Sequence, residues 1–273
     1  MSELLYRAAF GDRPDLLITD IPPDPRSRWL AAVALGGQGR YAAAATLLDE
    51  LCAGPDPTMG ALAASTRASH LRQLGGHAAA RVLDGAALRL AARPDVLSDV
   101  LLGLAADALG LGRLPEARRL IAAARRLGDV GWRGEIRLCW VSAEVDLGAG
   151  RADVAVPHAE RAAERAGAAG SVRHRVKSAM VLGAALAARG ESADRQRARR
   201  LVEHAWRDAS ELGLLPLVWP CAMLLADLEP AFAPAHRRRA GDALRWVLRR
   251  ADPIGRRVAG NSPWVPDPAR LTG

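Results

Sequence analysis

Lysine is all but missing from this chain: of its 38 basic side chains only Lys177 is a lysine, and the rest are arginine. GC-rich codons write such a bias, so the arginine count alone says little about nucleic acid. Aromatic residues are scarce too, at 4%, although half of the chain is apolar. The apolar mass is therefore mostly Ala, Leu and Val, a mixture that favours helices over strands. No segment alternates apolar and polar residues strictly enough for a half-buried strand. Cysteines number three, Cys52, Cys139 and Cys221, far apart, without a C-x-x-C pair or a histidine at ligand spacing. That pattern argues against a disulfide framework and a zinc site and predicts buried, reduced thiols. The longest uncharged run, residues 212–226, is 15 residues long and is interrupted by Pro216 and Pro220. A spanning helix needs ~20 apolar residues, and the N-terminus lacks a basic region followed by an apolar one. Neither a membrane span nor a signal peptide is expected, and a cytoplasmic location is the default.

The net charge of +8 is unevenly spread. Residues 1–136 carry 16 basic and 15 acidic side chains, and residues 137–273 carry 22 and 15, so the positive field belongs to the C-terminal half.

The segment "LGGQGRYAAAATLL" around Gly39 has relatives downstream, centred on Gly75, Gly112, Gly150 and Gly190. The spacings are 36, 37, 38 and 40. Each unit reads as helix, glycine turn, helix, with the glycine supplying the left-handed conformation that closes the first helix. In the third unit Pro115 follows the turn, where a helix start tolerates it. Beyond three of the turns, apolar residues lie four and three apart: Ala117, Ile121 and Ala124; Ala155, Ala159 and Ala162; Ala198, Val202 and Ala205. Each triplet forms one stripe of a helix. A single hairpin cannot bury such a stripe, but stacked neighbours can. A phosphate loop at Gly36, Gly37 and Gly39 is excluded, because neither G-x-x-x-x-G-K-[ST] nor a preceding strand is present.

These units resemble the tetratricopeptide repeat family. Gly39, Tyr41, Ala44, Leu48 and Leu51 match its pattern in the first unit, and Gly112, Leu114, Ala117, Ile121 and Ala124 in the third. Gly150, Ala152, Ala155, Ala159 and Ala162 fit more loosely. The periods exceed the family's 34 residues and its Trp-x-x-Leu-Gly opening is largely absent, which places the chain in a divergent branch of the kind found in bacterial regulators. The resemblance implies an all-α, right-handed α-solenoid of five to six antiparallel helix pairs. It spans residues 26–250, between an N-terminal extension (1–25) and a Pro-rich C-terminal tail (251–273), both expected to be extended. It also implies that the first helix of each pair lines a concave groove. Counting back from each turn, the groove positions are Arg26, Trp29, Ser65, Ser69, Arg72, Asp99, Arg137, Trp140, Glu144 and Lys177. Trp29, Arg137 and Trp140 are the residue types that most often anchor interfaces; the tryptophans are equally suited to filling core between repeats.

No catalytic, cofactor or metal constellation is legible. The six histidines are scattered, no H-E-x-x-H occurs, and Glu160 and Glu164 interleave with Arg161 and Arg165 as a solvated face would. The expected function is a non-enzymatic interaction module that takes a peptide or protein partner, an acidic one suiting the charge. A second reading is a nucleic-acid-associated transcriptional regulator using the basic surface of residues 236–252, namely Arg237, Arg238, Arg239, Arg245, Arg249 and Arg250. A plainer role for that helix is a solubilising cap on the last repeat. Arg173, Arg175, Arg195, Arg197, Arg199 and Arg200 form a further basic run with Lys177. Self-association is the third reading.

Overall fold

The computed structural model describes residues 2–271, and among them every regular element is a helix. A short α1 (Ser2–Phe10) precedes six consecutive pairs. The pairs are α2 (Pro25–Gly37) with α3 (Tyr41–Cys52), α4 (Pro57–Gln73) with α5 (His77–Leu88), and α6 (Pro94–Gly110) with α7 (Leu114–Arg125). They continue as α8 (Gly131–Gly148) with α9 (Ala152–Ala168), α10 (Val172–Arg189) with α11 (Ser192–Glu211), and α12 (Leu215–Leu228) with α13 (Ala233–Arg249). A final α14 (Pro253–Gly260) follows. The two helices of a pair pack on each other, and each first helix also packs on the first helix of the next pair. This is the contact pattern of a helical repeat.

Local chemistry sets the element boundaries. Asp-Pro opens α2, α4 and α14: the proline takes the first helical position, and the carboxylate before it accepts amide hydrogen bonds at 2.8–3.2 Å. Both devices suit the first turn, whose amides lack helical acceptors. The five glycines that mark the period all have positive φ, from 70° to 82°, and each joins the two helices of one pair. The sixth pair lacks such a glycine and turns through a 3₁₀ segment, Pro230–Phe232. All nine residues of the predicted stripes are buried, none more than 5% exposed. Alanine at these positions lets the second helices sit close to their neighbours.

Both termini depart from the extended conformation expected of them. Leu5, Ala8, Ala9 and Phe10 are one apolar face of α1, which packs on α2, and the Gly11 carbonyl accepts the Val172 amide at 3.1 Å. At the other end, α13 keeps an exposed basic outer face but buries its apolar stripe. Its Leu244 and Val247 join Ala251, Ala259 and Val265 in a cluster with Tyr41 and Leu74, the residues beside the first two glycine turns. The Ala42 amide donates to the Arg250 carbonyl at 2.8 Å, and Arg67 meets Asp252 at 2.8 Å. The end of the stack is thus sewn to its beginning. The thiols differ from expectation at one place: Cys221 is buried and Cys139 half-buried, but Cys52, the last residue of α3, is exposed.

Gly190 isolates the energetic role of the turns, since φ there is 82° and a Cβ would touch nothing within 4 Å. Gly190→Ala is expected to lower stability by about 1 kcal/mol through backbone strain alone. Gly183→Ala, whose Cβ would stand 2.3 Å from Val202, adds a clash and should lower it further. Equal melting temperatures for Gly190→Ala and the parent would contradict the account.

Candidate functional site

The first helices of the six pairs turn one face onto a cavity of about 580 Å³. Nine of the ten groove residues expected from the sequence line it: Trp29, Ser65, Ser69, Arg72, Asp99, Arg137, Trp140, Glu144 and Lys177. Arg26 does not. It is exposed at the start of α2, and Phe10 of α1 takes the end of the cavity beside Trp29 instead, with the rings 5.5 Å apart. Since the last helices close against the first, the concavity is a chamber rather than an open groove.

Aromatic rings form one part of the wall. His174 stacks on Trp140 at 5.3 Å and meets the edge of Trp132 at 4.9 Å. Trp29 and Trp140 are held by hydrogen bonds from their indole nitrogens to Thr66 Oγ1 at 3.0 Å and Ser178 Oγ at 2.8 Å. Trp219 and Pro220 of α12, and Trp264 of the C-terminal segment, line the same chamber. The Trp264 indole donates to the Gly110 carbonyl at 3.2 Å, with its ring edge-on to His77.

Charged side chains fall into separate groups. Arg72 is bound on two sides, to Asp107 at 2.7 and 3.1 Å and to Asp84, both carboxylates fully buried. Gly103 makes room for this, since a Cβ there would lie 2.3 Å from Asp84 Oδ2. Burial, reinforced by the nearby Asp107 charge against the pull of Arg72, pushes the Asp84 carboxyl up to about 7. Arg72 therefore ties α4 to α5 and α6, and its nitrogens are committed within the protein. Asp99 is shared by Arg133, at 2.9 Å, and Arg137, at 3.1 Å, and the Arg137 guanidinium also donates to the Asp99 carbonyl at 3.2 Å. Lys177 pairs with Glu144 at 2.8 Å. Arg173 lines the same chamber but makes no hydrogen bond or ion pair among the described residues.

Arg133 escaped the sequence reading and Arg173 entered it only within a basic run, although each lies one helical turn before a groove residue that it named, Arg137 and Lys177. Extending the groove stripe by four would have found both. No comparable signal marks Phe10, which comes from α1; Trp219 arrives on α12, the first helix of the sixth pair, and Trp264 from the C-terminal tail. Ser171 and His174 form a hydrogen-bonded serine–histidine pair at 2.8 Å, but Ser171 is fully buried and does not line the chamber.

The basic surface divides. Arg245 pairs with Asp242 and donates to the Pro268 carbonyl at 3.2 Å. Arg239 lies 4.7 Å over Trp206 and Arg250 3.8 Å over Trp246. Arg237, Arg238 and Arg249 are exposed, with no ion pair among the described residues. The further basic run makes no continuous strip: Arg173 and Lys177 face inward, while Arg175, Arg197 and Arg199 pair with Asp208, Glu160 and Glu229.

No family model matches the sequence, and no curated protein matches it. The reading of the site rests on its geometry.

His70, behind the chamber wall of α4, offers a test of how dry that wall is. Its ring packs 5.0 Å from Tyr41, and its Nδ1 has no partner. Burial, with the Arg173 and Arg67 charges adding to it, pushes its pKa down to about 3. The unfolded chain takes up that proton near pH 6.5. His70 therefore favours the fold fully above about pH 6.5, and this contribution is lost as the pH falls from there toward about 3. Melting temperature against pH should fall less steeply between 6.5 and 4 in His70→Gln than in the parent. The slopes should differ by up to about 1.4 kcal/mol per pH unit. Parallel curves would show that His70 is hydrated.

Proposed function

We propose that this protein is a non-enzymatic adaptor or regulatory module that takes a peptide segment of a protein partner into its central chamber. The observation that carries the reading is the convergence of polar and aromatic side chains from six successive first helices on one cavity, within the ~300–1,000 Å³ range of ligand sites. Half-buried Trp140, with its nitrogen bonded and its ring held by His174, is a preorganised aromatic contact for a bound segment. A non-enzymatic role is supported by the chemistry at hand: the chamber's arginines and carboxylates are mostly spent on each other, and the serine hydroxyl of the serine–histidine pair is buried away from the chamber. On this reading the stack is a right-handed, tetratricopeptide-like solenoid acting in the cytoplasm. Among the described residues no helix is long and apolar enough to cross a membrane. The positive half of the chain would steer acidic partners toward it.

One observation favours a second reading, in which Arg237, Arg238 and Arg249 contact nucleic-acid phosphates: their guanidinium groups are exposed and unpaired among the described residues.

Both readings meet in one capture experiment from cell extract with cross-links mapped by mass spectrometry. Ser69→Trp and Ala106→Trp each fill the chamber, and circular dichroism checks that they fold. The expected outcome is a protein cross-linked to chamber residues, retained after nuclease treatment and lost with either filled variant. Capture that survives in both filled variants would overturn the chamber reading. Capture abolished by nuclease, and by Arg237→Gln, Arg238→Gln and Arg249→Gln together, would establish the second.

A further inference from the structure

The chamber's charges do not balance in one region. Of three guanidinium groups that line it, Arg133 and Arg137 share one carboxylate, Asp99, and Arg173 has none. Arg133 is additionally covered by aromatic faces, its guanidinium carbon 4.3 Å from the Phe10 centroid and 5.7 Å from Trp29. Arg173 extends from α10 across to the end of α2, where a Cβ on Gly37 would lie 3.6 Å from its Nη1. Nothing among the described residues answers its charge. Burial lowers the proton affinity of Arg173, and the positive charges of Arg133 and Arg137 lower it further.

An unpaired arginine that is half-buried in a cavity wall loses part of its hydration, and a bound anion would compensate it. Lys177 shows the alternative within the same helix, one turn on, fully answered by Glu144 at 2.8 Å. The surplus therefore has a place and a sign. The same lining holds half-buried apolar and aromatic side chains, Met180 and Trp219 among them, that an inorganic ion would leave unused.

Resting on the chamber reading above, we propose that the occupant carries a carboxylate set between Arg173 and the Arg133–Arg137 pair, joined to an aromatic or apolar body that packs on the apolar lining of the chamber. Arg173 is the residue that selects the anion. Planar guanidinium groups bind a planar carboxylate through two parallel hydrogen bonds, and they do so most strongly where water is excluded. The same chemistry is offered by an acidic side chain beside an aromatic one in a peptide, and by a free aromatic acid.

Isothermal titration calorimetry with four probes tests this and separates the two sources. The probes are 3-phenylpropanoate, its neutral amide, and the end-blocked peptides acetyl-Phe-Glu-Leu-amide and acetyl-Phe-Gln-Leu-amide. The expected result is at least tenfold tighter binding of the anionic member of one pair, the pair that responds identifying the source. Arg173→Met should bring that ratio close to one. Because Arg173 has no partner to lose, the ligand-free Arg173→Met protein should melt at the same temperature as the parent or higher. Equal binding of acid and amide would overturn the anion assignment while leaving the chamber reading intact. A chamber that binds none of the four overturns both. A markedly lower melting temperature for ligand-free Arg173→Met would overturn the selector role, since the arginine would then be holding the fold.

Discussion

Contact between the two ends of the chain is what gives the molecule an inside. Leu244, Val247 and Ala251 bury themselves against Tyr41 and Leu74, and the Arg250 carbonyl takes the Ala42 amide. Without that seam the inner faces of the first helices would line an open trough, and their charges would be solvated. With it, the same side chains face a partly closed space in which charge is poorly screened. The consequences are visible: His70 is kept neutral, and the proton affinity of Arg173 is lowered.

Inside this space the polar groups are arranged with differing completeness. Arg72 is saturated by two carboxylates, Lys177 is matched one to one, and Asp99 is oversubscribed by two arginines. The gradient runs from the α4–α6 side, where charge is spent on holding helices together, to the α8–α10 side, where it is left over. A helical repeat can hold both kinds of site because each first helix contacts its neighbours through one stripe and the interior through another. Alanine makes this possible: the small stripes on α7, α9 and α11 leave the width of the wall to be set by backbones.

Much of this architecture was legible in the sequence. The glycine period marked five turns, and all five glycines take the left-handed conformation there. The groove positions counted back from those turns face inward in nine cases of ten, because helical geometry carries a register faithfully over a few turns. What stayed hidden depends on contacts between distant segments. Nothing in "SELLYRAAF" announces that Phe10 will cover the end of the chamber and displace Arg26 from it. Nothing in the proline-rich C-terminus announces that Trp264 will bond to the Gly110 carbonyl. The pairing of charges was equally opaque: Arg72, Arg137 and Arg173 look alike in sequence, and only their neighbours make one a brace, one a sharer and one a free cation.

The seam also sets an order of events for the chain as it folds. Each helix pair joins residues fewer than forty apart, so the pairs can form early and independently. The seam joins Ala42 to Arg250, closing a loop of about two hundred residues. Its closure entropy is on the order of 5 kcal/mol, with no local contact to offset it in advance. The seam is therefore expected to close after the pairs have formed. A ligand held inside would act as a latch, tying its own release to the opening of the whole ring.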